Sequence, residues 1–265
     1  VYRTEDGGKS WELALQNKDP RAFFDCMAFD GERGWMMGDP VEGRFQIYGT
    51  IDGGKTWSPV PGPQAAKGEA AFAASGTCIA VAGKGLVVAT GGTFARAHGK
   101  QPGDKEWITT NESKSGAGES KGYFSAAASG ETALLVGGDY KMESSVGLSA
   151  QLGRGGMHFL SEKVIDGAEV RDGNEIKTPL KRSNMEFAKL LALKESAAPR
   201  GYRSGVACVR EELPCIAVGP SGTDAWSGTD WIPISDTGYD AIDLAGNTGW
   251  ISGDAGRIAR IEITE

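Results

Sequence analysis

The chain has only two histidines, His98 and His158, in 265 residues, and its four cysteines never fall in a Cys-x-x-Cys spacing. A structural zinc site needs four such ligands at short spacings, so no metal is expected. No run approaches the ~20 apolar residues of a membrane-spanning helix, so no transmembrane segment is expected. Cationic excess is lacking too: 28 Lys and Arg stand against 35 Asp and Glu, for a net charge of −7. That balance argues against a nucleic-acid partner or a general binder of anionic membranes. No Gly-x-Gly-x-x-Gly joins a strand to a helix, which sets aside a dinucleotide enzyme, and no cofactor is expected.

Glycine, by contrast, is abundant at 40 residues. Two stretches use it alike, VYRTEDGGKSWE from Val1 and IYGTIDGGKTWS from Ile47. Each holds Thr-x-Asp-Gly-Gly-Lys-(Ser/Thr)-Trp: Thr4, Asp6, Gly8 and Trp11 in the first, Thr50, Asp52, Gly54 and Trp57 in the second. A short Asp side chain closes a turn by accepting backbone N–H groups, and a Gly pair permits positive φ. This is the Asp-box pattern, and its role is read as structural, on the hairpin between two outer strands. A decayed third copy, SGTDAWSGTDW at 221–231, keeps Thr229, Asp230 and Trp231, and Trp107 marks an outer strand that has lost its box.

A longer repeat lies behind the boxes. Residues 23–39, FFDCMAFDGERGWMMGD, and 239–254, YDAIDLAGNTGWISGD, share an aromatic with Asp, a short apolar run, a turn, a second run and Gly-Asp. Weaker copies occupy 78–92, 123–139 and 202–220. Short Val-, Ile- and Ala-rich runs cut by Gly turns predict strands, and their regular return predicts an all-β fold, a β-propeller of four-stranded blades. These runs give five inner-strand pairs, and the amino terminus adds only the outer strands of one more blade. Five and a half blades do not close, which predicts sequence ahead of Val1. Residues 1–265 are read as one propeller domain with an insertion at about 150–186, GRGGMHFLSEKVIDGAEVRDGNEIKTPLKRSNME at its heart, predicted to be a surface excursion. FAKLLALKE after it reads as a displaced outer strand, or else a short helix.

The strings VYRTEDGGKSWELALQNKDPRAFFDCMAF, GDPVEGRFQIYGTIDGGKTW, GWISGDAGRIARI and the shorter VGGDY, RGYRSGVA and AVGPSGTD resemble bacterial relatives of the plant photosystem II stability/assembly factor family. The resemblance spans nearly the whole chain. It implies a seven-bladed, sialidase-like propeller and export to the periplasm or beyond. Many such bacterial proteins carry the label "oxidoreductase", which no cofactor motif here supports.

In that architecture, the turns that leave second strands and enter first strands share one face. This would place Asp39, Asp139 and Asp254 on one rim, with Arg44, Arg203 and Arg257 and Tyr140, Tyr202 and Tyr239 close by. Arg and Tyr are enriched at binding hot spots, so the rim suits capture of a protein or peptide segment by a non-catalytic scaffold. Mutual pairing of these charges is the other reading. The alternative function is a sialidase-like glycoside hydrolase, but the Arg-Ile-Pro entry and a clear Glu–Tyr pairing are missing. Finally, GVACV and PCIAVG read as one hairpin that can set Cys208 opposite Cys215, within disulfide reach. Small buried thiols are the competing reading. Cys26 and Cys78 fall on first strands of different blades and are expected to stay thiols.

Overall fold

Strands form where the sequence alternates short apolar runs with Gly turns, and they pair with their immediate neighbours. The computed structural model describes residues 1–74, 76–110, 118–130, 132–152, 171–172, 175–176, 194–195, 197–209 and 214–263. A hairpin pairs β1 (Tyr2–Arg3) with β2 (Glu12–Leu13). The first four-stranded sheet runs in chain order through β3 (Phe24–Asp30), β4 (Arg33–Val41), β5 (Arg44–Thr50) and β6 (Ser58–Val60). After the short β7 (Glu69–Ala70) come β8 (Ile79–Ala82), β9 (Gly85–Gly92), β10 (Arg96–Lys100) and β11 (Ile108–Thr109). The third sheet holds β12 (Gly118–Ser129), β13 (Thr132–Asp139) and β14 (Leu148–Leu152). A small hairpin of β15 (Arg171–Asp172) and β16 (Glu175–Ile176) precedes its outer strand, β17 (Lys194–Glu195). The fourth comprises β18 (Gly205–Cys208), β19 (Cys215–Gly219), β20 (Gly222–Trp226) and β21 (Trp231–Ser235). The last described sheet is β22 (Ala241–Ala245), β23 (Thr248–Gly253) and β24 (Arg257–Glu262).

All pairings are antiparallel. The second and third sheets are continuous, because Gly91 and Gly92 of β9 also pair with β12 and β7. The five inner pairs expected from the repeat are β3–β4, β8–β9, β12–β13, β18–β19 and β22–β23. FAKLLALKE is described only at Lys194–Glu195, where it pairs with Gln151 and Ala150 of β14. Most of the 150–186 segment lies outside the described residues.

The second strands β9, β13 and β19 are largely apolar because neighbouring sheets stack on both of their faces. In β19, Cys215 and Ala217 pack toward Leu134 and Val136 of the third sheet, while Ile216 and Val218 pack toward Ile242 and Ile251 of the fifth. β9 divides likewise, Val87 and Ala89 meeting Leu135 and Val88 meeting Met37 and Ile47. Each fully buried Val, Leu, Ile or Met among them contributes roughly 1.5–3 kcal/mol by leaving water. Period-2 alternation thus survives in the structure as a choice of neighbour, both options being dry. This arrangement of stacked, curled antiparallel sheets is consistent with a β-propeller fold.

The cysteines overturn one expectation. Cys208 and Cys215 face each other across β18 and β19 and are bonded, with Cα atoms 3.9 Å apart. Cys26 and Cys78 are not thiols: they also form a disulfide, with Cα atoms 5.5 Å apart. Residence in different sheets does not separate them, because β3 packs beside β8 where neighbouring first strands meet. No cysteine is free.

Candidate binding face

The Gly-Asp motif has a steric cause. A Cβ on Gly38 would lie 2.1 Å from the carbonyl oxygen of Phe23, and one on Gly137 1.8 Å from that of Gly122. On Gly219 it would lie 2.0 Å from the carbonyl of Tyr202. At this edge the end of each second strand presses on the chain entering the first strand, and only Gly fits. Asp39 follows Gly38 directly, Asp139 follows Gly137 by two residues, and Pro220 follows Gly219, all at this edge.

The structure distributes the rim residues unequally. Asp39 is half-buried, and its Oδ1 accepts the N–H of Ala71 at 3.2 Å. Asp139 is buried and accepts the N–H of Lys141 at 2.9 Å. Burial alone would raise its carboxyl, but the Ser120 hydroxyl, the Lys141 amide and nearby lysines hold it below the usual value. Asp254 and Arg257 are exposed, and Arg257 donates to the carbonyl of Gly238 at 2.5 Å while lying over the Tyr239 ring. Arg44 is exposed and donates to the carbonyl of Gly62 at 3.0 Å.

Arg203 does not stand on the rim. It is 0 % exposed, and its Nε and Nη2 both donate to Asp224 Oδ2, the Nε bond at 2.8 Å. Its Nη1 donates to the carbonyl of Tyr202 and to Ser221 Oγ. A guanidinium so buried survives only with every donor satisfied, so these groups are structural partners. Tyr202 is buried as well, and burial first, then nearby carboxylates, raise its hydroxyl well above its ordinary value.

Sequence reading missed an aromatic cluster here. Phe124 lies 4.1 Å from Phe72 and 5.0 Å from Tyr202 between ring centres, and Tyr140 packs against both Phe72 and Phe124. Phe124 and Tyr202 are buried, whereas Tyr140 is 41 % exposed and caps the group. Phe72 sits in no repeat, so only folding could bring it there. Phe124 is the extra residue of a bulge in β12, since the register shifts between Tyr123 and Ser125.

A second missed group fixes the loop that carries Phe72. Glu69 Oε1 accepts from Thr90 Oγ1 at 2.6 Å, Arg96 Nε at 2.9 Å and His98 Nε2 at 2.9 Å. Its Oε2 accepts from Arg96 Nη2 at 2.6 Å and the N–H of Ala66 at 2.8 Å. Burial pushes Glu69 up, but the donors from His98, Arg96 and Thr90 outweigh it and hold the carboxyl at about 2. Burial lowers His98 against the opposing pull of Glu69, and its Nδ1 lies 3.0 Å from Thr109 Oγ1.

The Asp boxes lie at the opposite edge and share most of their hydrogen bonds. Thr4 Oγ1 donates to Asp6 Oδ1 at 2.8 Å and accepts the N–H of Gly8 at 2.9 Å. Thr50 donates to Asp52 at 2.7 Å and accepts from Gly54 at 3.0 Å. The Ser10 and Thr56 hydroxyls donate to the second oxygen of Asp6 and Asp52, each at 2.6 Å. Trp11 and Trp57 donate their ring N–H to the carbonyls of Gly8 and Gly54, each at 3.1 Å, with both glycines at positive φ. Every polar atom of the Asp is consumed internally, which suits a clamp better than a ligand site. The two boxes also touch, Arg3 Nε donating to the carbonyl of Gly53 at 2.9 Å. A cavity of about 1440 Å³ is walled by the first strands at Ala28, Ala80, Ala127, Ala207 and Ile242. It reaches Asp30, Gly83 and Gly130, at the edge away from the Gly-Asp turns.

Among the described residues, no group of three or more His, Cys, Asp or Glu is placed to hold a metal, and no helix is long and apolar enough to cross a membrane. The molecule is thus an almost wholly β protein of propeller-like build. No protein-family model and no curated protein matches the chain. Among solved structures it is similar to "YCF48 bound to D1 peptide", at 15% identity and a TM-score of 0.42, over 99% of this chain and 85% of that one. It is also similar to a protein of unknown function from Dyadobacter fermentans, at 10% identity and a TM-score of 0.43, over 93% and 84% of the two chains. YCF48 from Cyanidioschyzon merolae is similar at 13% identity and a TM-score of 0.28, over 91% and 95%.

Proposed function

We propose that the chain is a non-catalytic scaffold that captures a protein or peptide segment on its Gly-Asp face. The observation that carries this reading is the aromatic cluster capped by Tyr140. Its base of Phe124 and Tyr202 is buried and fixed, and its cap is open to a partner. An anchored aromatic loses little freedom on binding, and Arg44 and Arg257 are exposed for polar contacts with a partner. Asp39 and Asp254 complete the rim. Asp139, Tyr202 and Arg203 support it from below.

We read residues 1–265 as one propeller domain whose four-stranded blades are the stacked sheets, with an insertion at about 150–186. Two disulfides are compatible with an oxidising compartment and therefore with export. YCF48 has been solved bound to a D1 peptide, and that peptide is the first probe to try on this chain. Binding is measured by calorimetry against the whole chain, followed by a displayed peptide library. A selected peptide whose affinity falls at least about tenfold with Tyr140→Ala, ~1.4 kcal/mol, supports the reading. Hydrolysis of a fluorogenic sialoside, lost on changing Arg44 or Arg257, would replace it with the glycosidase.

A further inference from the structure

Asp25 occupies a position that burial makes costly for a carboxylate. The register of β3 on β4 shifts between Phe24 and Cys26, so Asp25 is the extra residue of a bulge. The register of β4 on β5 shifts between Gly38 and Pro40, and Asp39 is the extra residue there. A bulge re-aims a side chain out of strand alternation. Asp25 is turned inward, only 7 % exposed, and its Oδ2 has no hydrogen-bond partner. An ionised oxygen without a donor is expensive in such a place.

The pair sits on a seam. Asp39 Oδ1 holds the N–H of Ala71, on the chain entering the second sheet, and the Asp39 N–H is held by the carbonyl of Phe23 at 2.9 Å. The residue after Asp25, Cys26, is bonded to Cys78 ahead of β8. The seam between the first two sheets therefore has a covalent fastening and, beside it, a carboxyl pair. The charged group acting on Asp25 is Asp39 of β4, while β8 carries no ionisable side chain.

We propose that Asp25 stays protonated at this seam, and that release of its proton beside Asp39 loosens the seam, making it a pH-operated latch. Burial first, and the Asp39 charge second, push Asp25 up to about 7, and burial also raises Asp39. A buried carboxyl beside another carboxylate ionises only at a cost, so Asp25 resists losing its proton. The folded value lies above the ~3.9 of an unfolded Asp. Its stabilising effect is thus full below about pH 4 and is lost as pH rises through about 7. Nothing in this depends on what the Gly-Asp face binds.

The test is the melting temperature of the whole chain between about pH 5.5 and about pH 8.5, with amide exchange read at Ala71. The wild type should lose several degrees across that window, with Ala71 exchange rising beyond its intrinsic base-catalysed increase. Asp25→Asn should flatten both responses. A flat wild-type profile, or an unchanged slope in Asp25→Asn, overturns the latch. Restoration of the pH 8.5 melting temperature by added calcium overturns it in favour of a cation site. If Asp25→Asn does not fold, carboxyl-carbon NMR of the wild type decides. A carboxyl titrating near pH 7 supports the latch, and titration of every carboxyl below about pH 5 ends it.

Discussion

Single residues in this molecule are either fully committed or left open, and hydrogen bonds separate the two. Asp6 is held at about 2, first by the Ser10 hydroxyl, then by the Ser10 amide and the Thr4 hydroxyl. Asp52 lies lower still, with Thr56 and Thr50 in the same roles. Both folded values fall below the ~3.9 of an unfolded Asp, so their contribution is present above about pH 4 and lost as pH drops toward 2. Asp52→Ala should lower the melting temperature by a few degrees and leave binding on the opposite face unchanged. Thermal melts and calorimetry on the same sample check both halves. Asp224 is a harsher case, since removing it strands the buried Arg203 guanidinium. Asp224→Ala should cost roughly 3–5 kcal/mol, read from the denaturant midpoint. An unchanged midpoint would show that Arg203 finds another partner.

At the scale of elements, the two disulfides do different jobs. Cys208–Cys215 closes a short loop within one hairpin, with a sequence separation of 7, whereas Cys26–Cys78 joins two sheets across a separation of 52. Loop-closure entropy assigns roughly 2.5 kcal/mol to the first and roughly 4 kcal/mol to the second. The Cys26→Ser/Cys78→Ser variant should therefore melt below the Cys208→Ser/Cys215→Ser variant. Thiol counting on denatured, unreduced protein should return no free thiols, and a count of two would break one of these assignments. The hairpin bond was legible because both cysteines bracket one turn. The other was not, because it needs two first strands, far apart in sequence, to lie side by side.

For the whole molecule, face and core are set by the stacking of sheets. Leu134 and Val136 point one way from β13 and Leu135 the other, and each finds a neighbouring sheet. Leu135→Ala should thus cost about 2–5 kcal/mol, as a buried deletion does, and Leu134→Ala a similar amount through the opposite interface. Chemical denaturation of the two variants measures both. The exposed Trp250 and Ile258, by contrast, lie on a face of the last described sheet against which none of the described core clusters packs. Substituting either with Ala should shift stability by less than about 0.5 kcal/mol.

Local chemistry was enough for the turns and strands. Thr-x-Asp-Gly-Gly fixes an Asp box because its donors, acceptors and positive-φ glycines all lie within eight residues. Val-Ile-Ala runs fix strands because few other segments bury so densely. The repeat then orders the sheets without reference to distant contacts. What the tertiary structure alone decided was partnership over long sequence distances: Cys26 with Cys78, Arg203 with Asp224, Glu69 with His98, and Phe72 under Tyr140. Arg203 and Arg257 look alike in the sequence, each beside a tyrosine or near a Gly-Asp turn. Only packing buries one and leaves the other open, since a side chain's cost in water or out of it depends on neighbours that no local pattern names.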